Sequence, residues 1–227
     1  SIAKKNGQRS RYKTRLLERI IMEHENSDYT IAFDPSGNYY EGKGTTGVAI
    51  AVGSYIFHTS QIAAAEFPSQ MEYWTAVIKV IKDYAEQAKQ KGVKLNVVCE
   101  DYRLYASASN AQINSNLETP QIIGAIKWYC HMIGVPITMQ MAAEVKDRWS
   151  DDVLRAKHLL THDRKTGQAF VGNLSVNNHS LDAVRHCLHY LTFKTKTRAA
   201  EARPAATRKE YANYETGSGP YSGFVSV

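Results

Sequence analysis

Hydrophobic and polar positions along the chain switch between two periods, and the switches mark out its elements. Residues 12 to about 26 set Leu16, Leu17, Ile20 and Ile21 at helical spacing among charged neighbours, which predicts a helix. Residues 29–33 form a short apolar run that stops at Asp34-Pro35-Ser36-Gly37, the profile of a buried strand ending in a turn. After the turn at Gly42-Lys43-Gly44, residues 46–52 and 55–62 read as two further strands of a meander. Ser69 and Glu72 have capping-box spacing, and Met71, Trp74, Ile78, Ile81 and Ala85 follow at intervals of three and four, so a long helix is expected up to Gly92. A fourth strand at 93–99 ends in Glu100-Asp101. The polar stretch 106–117 suggests a loop or an irregular helix start. Thr119-Pro120 then opens a helix to about residue 132, with Thr119 as its expected cap. A fifth strand covers 137–141, a short helix starts at Ser150, and Asn177 or Asn178 caps a last helix with Leu181, Val184, Leu188 and Leu191 on one face. A meander followed by alternating helices and strands implies a mixed α/β sheet covered by helices.

At 43% hydrophobic and 22% charged residues, the composition is that of a globular protein. No apolar run is long enough to span a membrane, and the basic N-terminus has no signal-like apolar core. Cys99, Cys130 and Cys187 are odd in number and unclustered, which argues against a disulfide framework or a structural zinc site and points to a reducing, cytoplasmic setting. The expected organisation is a basic arm at 1–27, one compact domain at 28–193 and a flexible tail at 194–227.

The charge is uneven. The first 19 residues carry Lys4, Lys5, Arg9, Arg11, Lys13, Arg15 and Arg19 against the single acid Glu18, so this arm alone matches the +6 of the whole chain. A basic arm beside a mildly acidic body suits a polyanionic partner, although a solvated terminus has the same composition. In the body, Asp34 ends the first strand and Glu100 the fourth. His179 and Asp182, three residues apart, share a face of the last helix, opposite its leucines, with His186 and His189. If strands one and four are neighbours, Asp34 and Glu100 stand side by side and repel unless a cation lies between them. Oxygen ligands with one imidazole suit Mg²⁺, or Mn²⁺, rather than zinc. Such a set has the makings of a site for two ions about 3.5–4 Å apart acting on a phosphodiester. Each element also has a plainer reading: a turn at Asp34, a solvated strand end at Glu100, a helix cap and an exposed residue at His179 and Asp182.

Together the strings IAFDPSG, TTGVAIAV, VVCEDYRLY and HSLDAVRHCLHYL resemble the RuvC-type resolvases of bacteria and phages. The resemblance covers roughly residues 28–192 and places Asp34, Glu100, His179 and Asp182 at that family's acidic positions. It implies a ribonuclease H-like mixed five-stranded sheet flanked by helices, and two-metal hydrolysis of DNA by a homodimer at branched, Holliday-junction-like substrates. Lys146, after the fifth strand, falls where the family often has a lysine near the phosphate. Tyr102 and Arg103, following Glu100, mix aromatic and basic groups suited to unstacked DNA, though a loop packed on the body fits them too. Lys43 and the basic arm complete the expected DNA contacts. Two departures stand out: a loop at 38–44 separates Asp34 from the Thr46-Gly47 strand start, and the basic arm precedes the first strand. Both also suit the nuclease domain of a phage terminase large subunit, which would act as a monomer or packaging-motor component on concatemeric duplex DNA. No phosphate-binding loop of the Gly-x-x-x-x-Gly-Lys-Ser/Thr type occurs. A non-catalytic nucleic-acid-binding module is the third reading, and the carboxylates disfavour it, because they repel phosphate unless metals neutralise them.

Overall fold

The computed structural model describes residues 26–102 and 117–201, with side chains to residue 193. The chain divides into two compact units, Ser1–Thr192 and Phe193–Val227, and the architecture below is that of the first. The expected N-terminal helix, the basic arm, Arg103, most of the polar stretch at 106–117 and the chain beyond residue 201 lie outside the described residues.

Five strands form one sheet: β1 (Tyr29–Asp34), β2 (Thr45–Val52), β3 (Tyr55–Ala63), β4 (Leu95–Asp101) and β5 (Ile137–Met141), in the order β3-β2-β1-β4-β5. β1 pairs antiparallel with β2, and β2 with β3, whereas β1–β4 and β4–β5 are parallel. The result is a mixed five-stranded sheet, as the sequence pattern predicts. The helices are α1 (Gln70–Lys91), α2 (Glu118–Met132), α3 (Ala142–Arg148), α4 (Asp151–Ala156) and α5 (Asn178–Glu201). Between α4 and α5 lies a small antiparallel sheet of β6 (Leu160–His162), β7 (Ala169–Val171) and β8 (Leu174–Val176). The sequence pattern did not predict this second sheet or α3.

The central strands are buried on both faces, so their period-2 signal is carried by size rather than polarity. Ile31, Phe33, Val48, Ile50 and Val97 pack against α1 and α2, where Tyr73, Val77, Ile81, Ile122 and Ile126 meet them. Ala32, Ala49 and Ala51 face the opposite way, and with Val98 they pack with Leu181, Val184 and Cys187 of α5. Small side chains on that face let α5 approach the sheet closely. Cys99, Cys130 and Cys187 are buried free thiols. Among the described residues, no helix is long and apolar enough to cross a membrane.

Three expectations are corrected. Ser69 caps α1 by accepting from Glu72 N–H, as its spacing predicts, but the buried face is Tyr73, Val77, Ile81 and Ala88, and Met71 is 63% exposed. Tyr73 takes the inward position because its hydroxyl has partners there. Thr119 does not cap α2. The helix starts at Glu118, and the Thr119 hydroxyl instead accepts from Gly37 N–H across the fold at 2.9 Å. α5 continues to Glu201, into the stretch expected to form a tail. Asn177 is its cap, with Oδ1 accepting from Ser180 N–H at 3.1 Å.

Candidate active site

The parallel pairing of β1 and β4 sets Phe33 opposite Cys99, so Asp34 and Glu100 follow side by side where the two strands end. In parallel α/β sheets this carboxyl edge is where ligands bind. The start of α5 lies against the same edge. Gly47, the partner of Asp34 in β2, faces the first turn of that helix so closely that a Cβ there would sit 2.0 Å from the His179 carbonyl oxygen. The contact delivers His179 to Asp34, and the imidazole Nδ1–H donates to Asp34 Oδ2 at 2.8 Å. One turn further along α5, Asp182 receives Lys146 Nζ at 2.9 Å from α3. The four expected metal-site residues and Lys146 therefore gather at one end of the sheet.

The loop leaving Asp34 is clamped on both sides. Tyr39 N–H donates to the Glu118 carboxylate and Gly37 N–H to Thr119. A Cβ on Gly37 would lie 2.2 Å from the Glu118 backbone, so only glycine fits beneath the start of α2. The Tyr73 hydroxyl donates to the Ser36 carbonyl, and because it has a single hydrogen it accepts from the Thr46 hydroxyl, both at 2.7 Å.

Electrostatics divide the carboxylates. Burial pushes the Asp34 carboxyl up to about 6; the His179 hydrogen bond opposes this, and the charges of Glu100 and Asp182 add to it. Burial also raises Glu100, but the hydrogen bond and charge of His186 outweigh it and hold that carboxyl below its usual value. His179 is raised, chiefly by its bond to Asp34. Burial lowers Lys146, yet its hydrogen bond to Asp182 and the surrounding carboxylates bring it above its ordinary value.

Three further residues shape the site. His186 is almost fully buried, and its Nε2–H donates to Glu100 Oε2 at 3.0 Å. Its Nδ1 meets the Gln140 side chain at 2.9 Å. Arg185 binds Asp182 and Asp151 with its guanidinium and donates to the Trp149 carbonyl, locking α5 to the α3–α4 corner. The sequence offered a signal for two of them. His186 lies on the face of His179 and Asp182, and Gln140 is a polar residue inside an apolar strand. The parallel register that sets Gln140 opposite Glu100 supplies the missing connection.

Of the expected DNA contacts, Lys43 lies in the exposed loop after Asp34, paired with Glu41 at 3.3 Å. Tyr102 is half-buried and packs against the core, the plainer of its two readings.

Among the described residues, no group of three or more His, Cys, Asp or Glu side chains is placed to hold a metal ion. The carboxylates are held by His179, His186, Lys146 and Arg185 instead. The donor set nonetheless fits a hard divalent ion: carboxylate oxygens with one imidazole, around a buried acid whose ionisation its acidic neighbours resist. An imidazole that orients a ligating carboxylate typically contributes about 10–100-fold to metal affinity. His186→Ala is accordingly expected to weaken Mg²⁺ binding by about that factor in calorimetric titration, with partial rescue by His186→Gln. Equal affinity in all three proteins would mean that His186 only fills space.

No family model and no curated protein matches the chain. Among solved structures, the fold is similar to that of Thermus thermophilus RuvC in complex with Holliday junction substrate, with 16% identity and a TM-score of 0.48 over 74% of this chain and 96% of that chain. A second structure, Thermus thermophilus RuvC, shares 13% identity with a TM-score of 0.46 over the same shares of both chains. Both are likenesses of chain trace.

Proposed function

We propose that this protein is a divalent-metal-dependent DNA endonuclease that resolves branched DNA. One observation carries the reading: Asp34, Glu100, His179 and Asp182, drawn from β1, β4 and α5, meet at the carboxyl edge of the sheet with Lys146 beside them. Those four residues would hold two Mg²⁺ ions, for which Mn²⁺ can substitute. When bound, the ions supply an activated water and charge stabilisation for the leaving oxygen. Asp34 would serve as a ligand in its ionised form, and His179 Nδ1–H steadies its carboxylate. His186 fixes the direction of the Glu100 carboxylate, and Arg185 that of Asp182. Lys146 sets a positive charge beside the carboxylates, where the phosphate must come. Lys4, Lys5, Arg9, Arg11, Lys13, Arg15 and Arg103, all outside the described residues, would add positive charge for holding the DNA backbone, as would the exposed Lys43. Paired incision of two strands calls for a second copy of the chain.

The test is cleavage of a synthetic four-way junction against a linear duplex of the same sequence, in Mg²⁺ and in Mn²⁺. Paired symmetric nicks at the junction are expected. Equal or greater cutting of the linear duplex would move the assignment to a packaging nuclease of the terminase kind. Metal-independent binding without nicking would leave a binding module.

A further inference from the structure

The small sheet between α4 and α5 has no part in the chemistry above, yet its register fixes where it points. His162 pairs with Ala169, and Ala169 with Val176, so these three residues line one end of the sheet. From Val176 the chain passes through Asn177 directly into α5 and His179, which bonds Asp34. Val176 and His179 are three residues apart, no more than about 11 Å even when fully extended. The turn joining β6 to β7, residues 163–168, therefore projects from the end of the small sheet that adjoins the carboxylates. The sheet is itself tied to the body, with the Thr59 hydroxyl donating to the Ser175 carbonyl at 3.2 Å.

The turn is preformed. Asp163 Oδ1 accepts from Lys165 N–H at 2.9 Å, Thr166 N–H at 2.8 Å and the Thr166 hydroxyl at 3.0 Å. Asp163 N–H and Gly167 N–H close it through backbone bonds to Gln168 and Asp163. The acid is thus engaged with the turn's own donors, and those bonds hold it below the usual carboxylate range. Arg164 and Lys165 are exposed at the tip, and among the described residues neither is in an ion pair. Several cations of the site and of the α3–α4 corner are engaged by acids: Lys146 and Arg185 bind Asp182, and Arg155 binds Asp151 and Asp152.

We propose that the β6–β7 turn is a phosphate-backbone contact, with Arg164 and Lys165 gripping the DNA strand a few nucleotides from the cleaved bond. A braced tip presenting two cations, at the end of the small sheet that leads into α5, offers a polyanion positive charge toward carboxylates that would otherwise repel it. The inference rests on the nuclease reading, because it takes DNA as the ligand.

The experiment is equilibrium binding of a fluorescein-labelled synthetic four-way junction by the full chain, without divalent metal, from 50 to 200 mM salt. Each phosphate contact contributes about 0.9 to the slope of log affinity against log salt. Arg164→Ala with Lys165→Ala is expected to lower that slope by about 1–2 and affinity at the low-salt end by about tenfold, while the swap R164K with K165R keeps both near wild type. Both sites are exposed, and an unchanged melting temperature confirms folding. A slope and affinity unchanged in the double alanine variant, with wild type binding well, overturn this contact and leave the nuclease reading intact. Failure of the wild type to bind the junction at any salt overturns the nuclease reading, and this contact with it.

Discussion

Asp34→Asn is expected to give a protein that folds and binds DNA but no longer cuts it. The substitution keeps shape and removes the charge that a metal requires. Loss of several kcal/mol of charge stabilisation corresponds to a fall in nicking on the order of 10³-fold. DNA affinity without metal should hold or rise, because one carboxylate fewer faces the phosphates. The pH behaviour supplies a second signature. Asp34 titrates at about 6 in the fold against 3.8 in its ordinary state, so metal must displace a proton below that point. Wild-type Mg²⁺ affinity should therefore climb as pH rises through about 6. The asparagine variant should keep only the part of that dependence that comes from His179 losing its proton. The sign for metal-free stability is opposite. The folded state holds this proton more tightly than the unfolded chain does, so the stability it contributes is full below pH 3.8 and is lost as pH rises through about 6. Nicking assays and Mg²⁺ titrations at pH 5, 6 and 7 check both. Normal turnover by Asp34→Asn would remove Asp34 from the metal site.

Gly47→Ala is expected to be the most damaging single methyl that can be added near the site. The new Cβ would lie 2.0 Å from the His179 oxygen, 2.3 Å from its carbonyl carbon and 2.8 Å from Ser180 N. These are backbone atoms in the first turn of α5, so no side-chain rotation relieves the clash. Either the helix lifts or β2 bends, at a cost of about 2–3 kcal/mol. His179 and Asp182 move with the helix start, away from Asp34 and Glu100. Urea denaturation should show a lowered midpoint, and nicking should fall further than the folded fraction does. An unaltered midpoint with normal nicking would show that β2 and α5 are not in contact here.

Much of this architecture is legible in the chain, for identifiable reasons. Asp34 and Glu100 stand out because each interrupts an apolar run where a strand must end. The Ser69 cap and the Ser150 cap are local, so spacing reveals them. What fails is whatever depends on a partner distant in sequence. The inward face of α1 turns on Tyr73, an amphipathic residue whose hydroxyl is satisfied only by Thr46 and Ser36. Thr119 has the composition of a cap and is used instead by a backbone amide 82 residues away. His186 looked like a spare histidine on a helix until β5 supplied Gln140 and β4 supplied Glu100. β6, β7 and β8 have three residues each, too few for alternation to register.

The clasp between the loop after Asp34 and the start of α2 also bears on how sequences of this kind can diverge. Gly37 and Thr119 are 82 residues apart in the chain, yet the Gly37 N–H bonds the Thr119 hydroxyl and a Cβ on Gly37 would lie 2.2 Å from the Glu118 backbone. The Tyr39 amide leans on the Glu118 carboxylate in the same place. A change on one side of the clasp is therefore felt on the other, and through the loop at Asp34. Gly37, Glu118 and Thr119 are accordingly expected to be exchanged together or not at all.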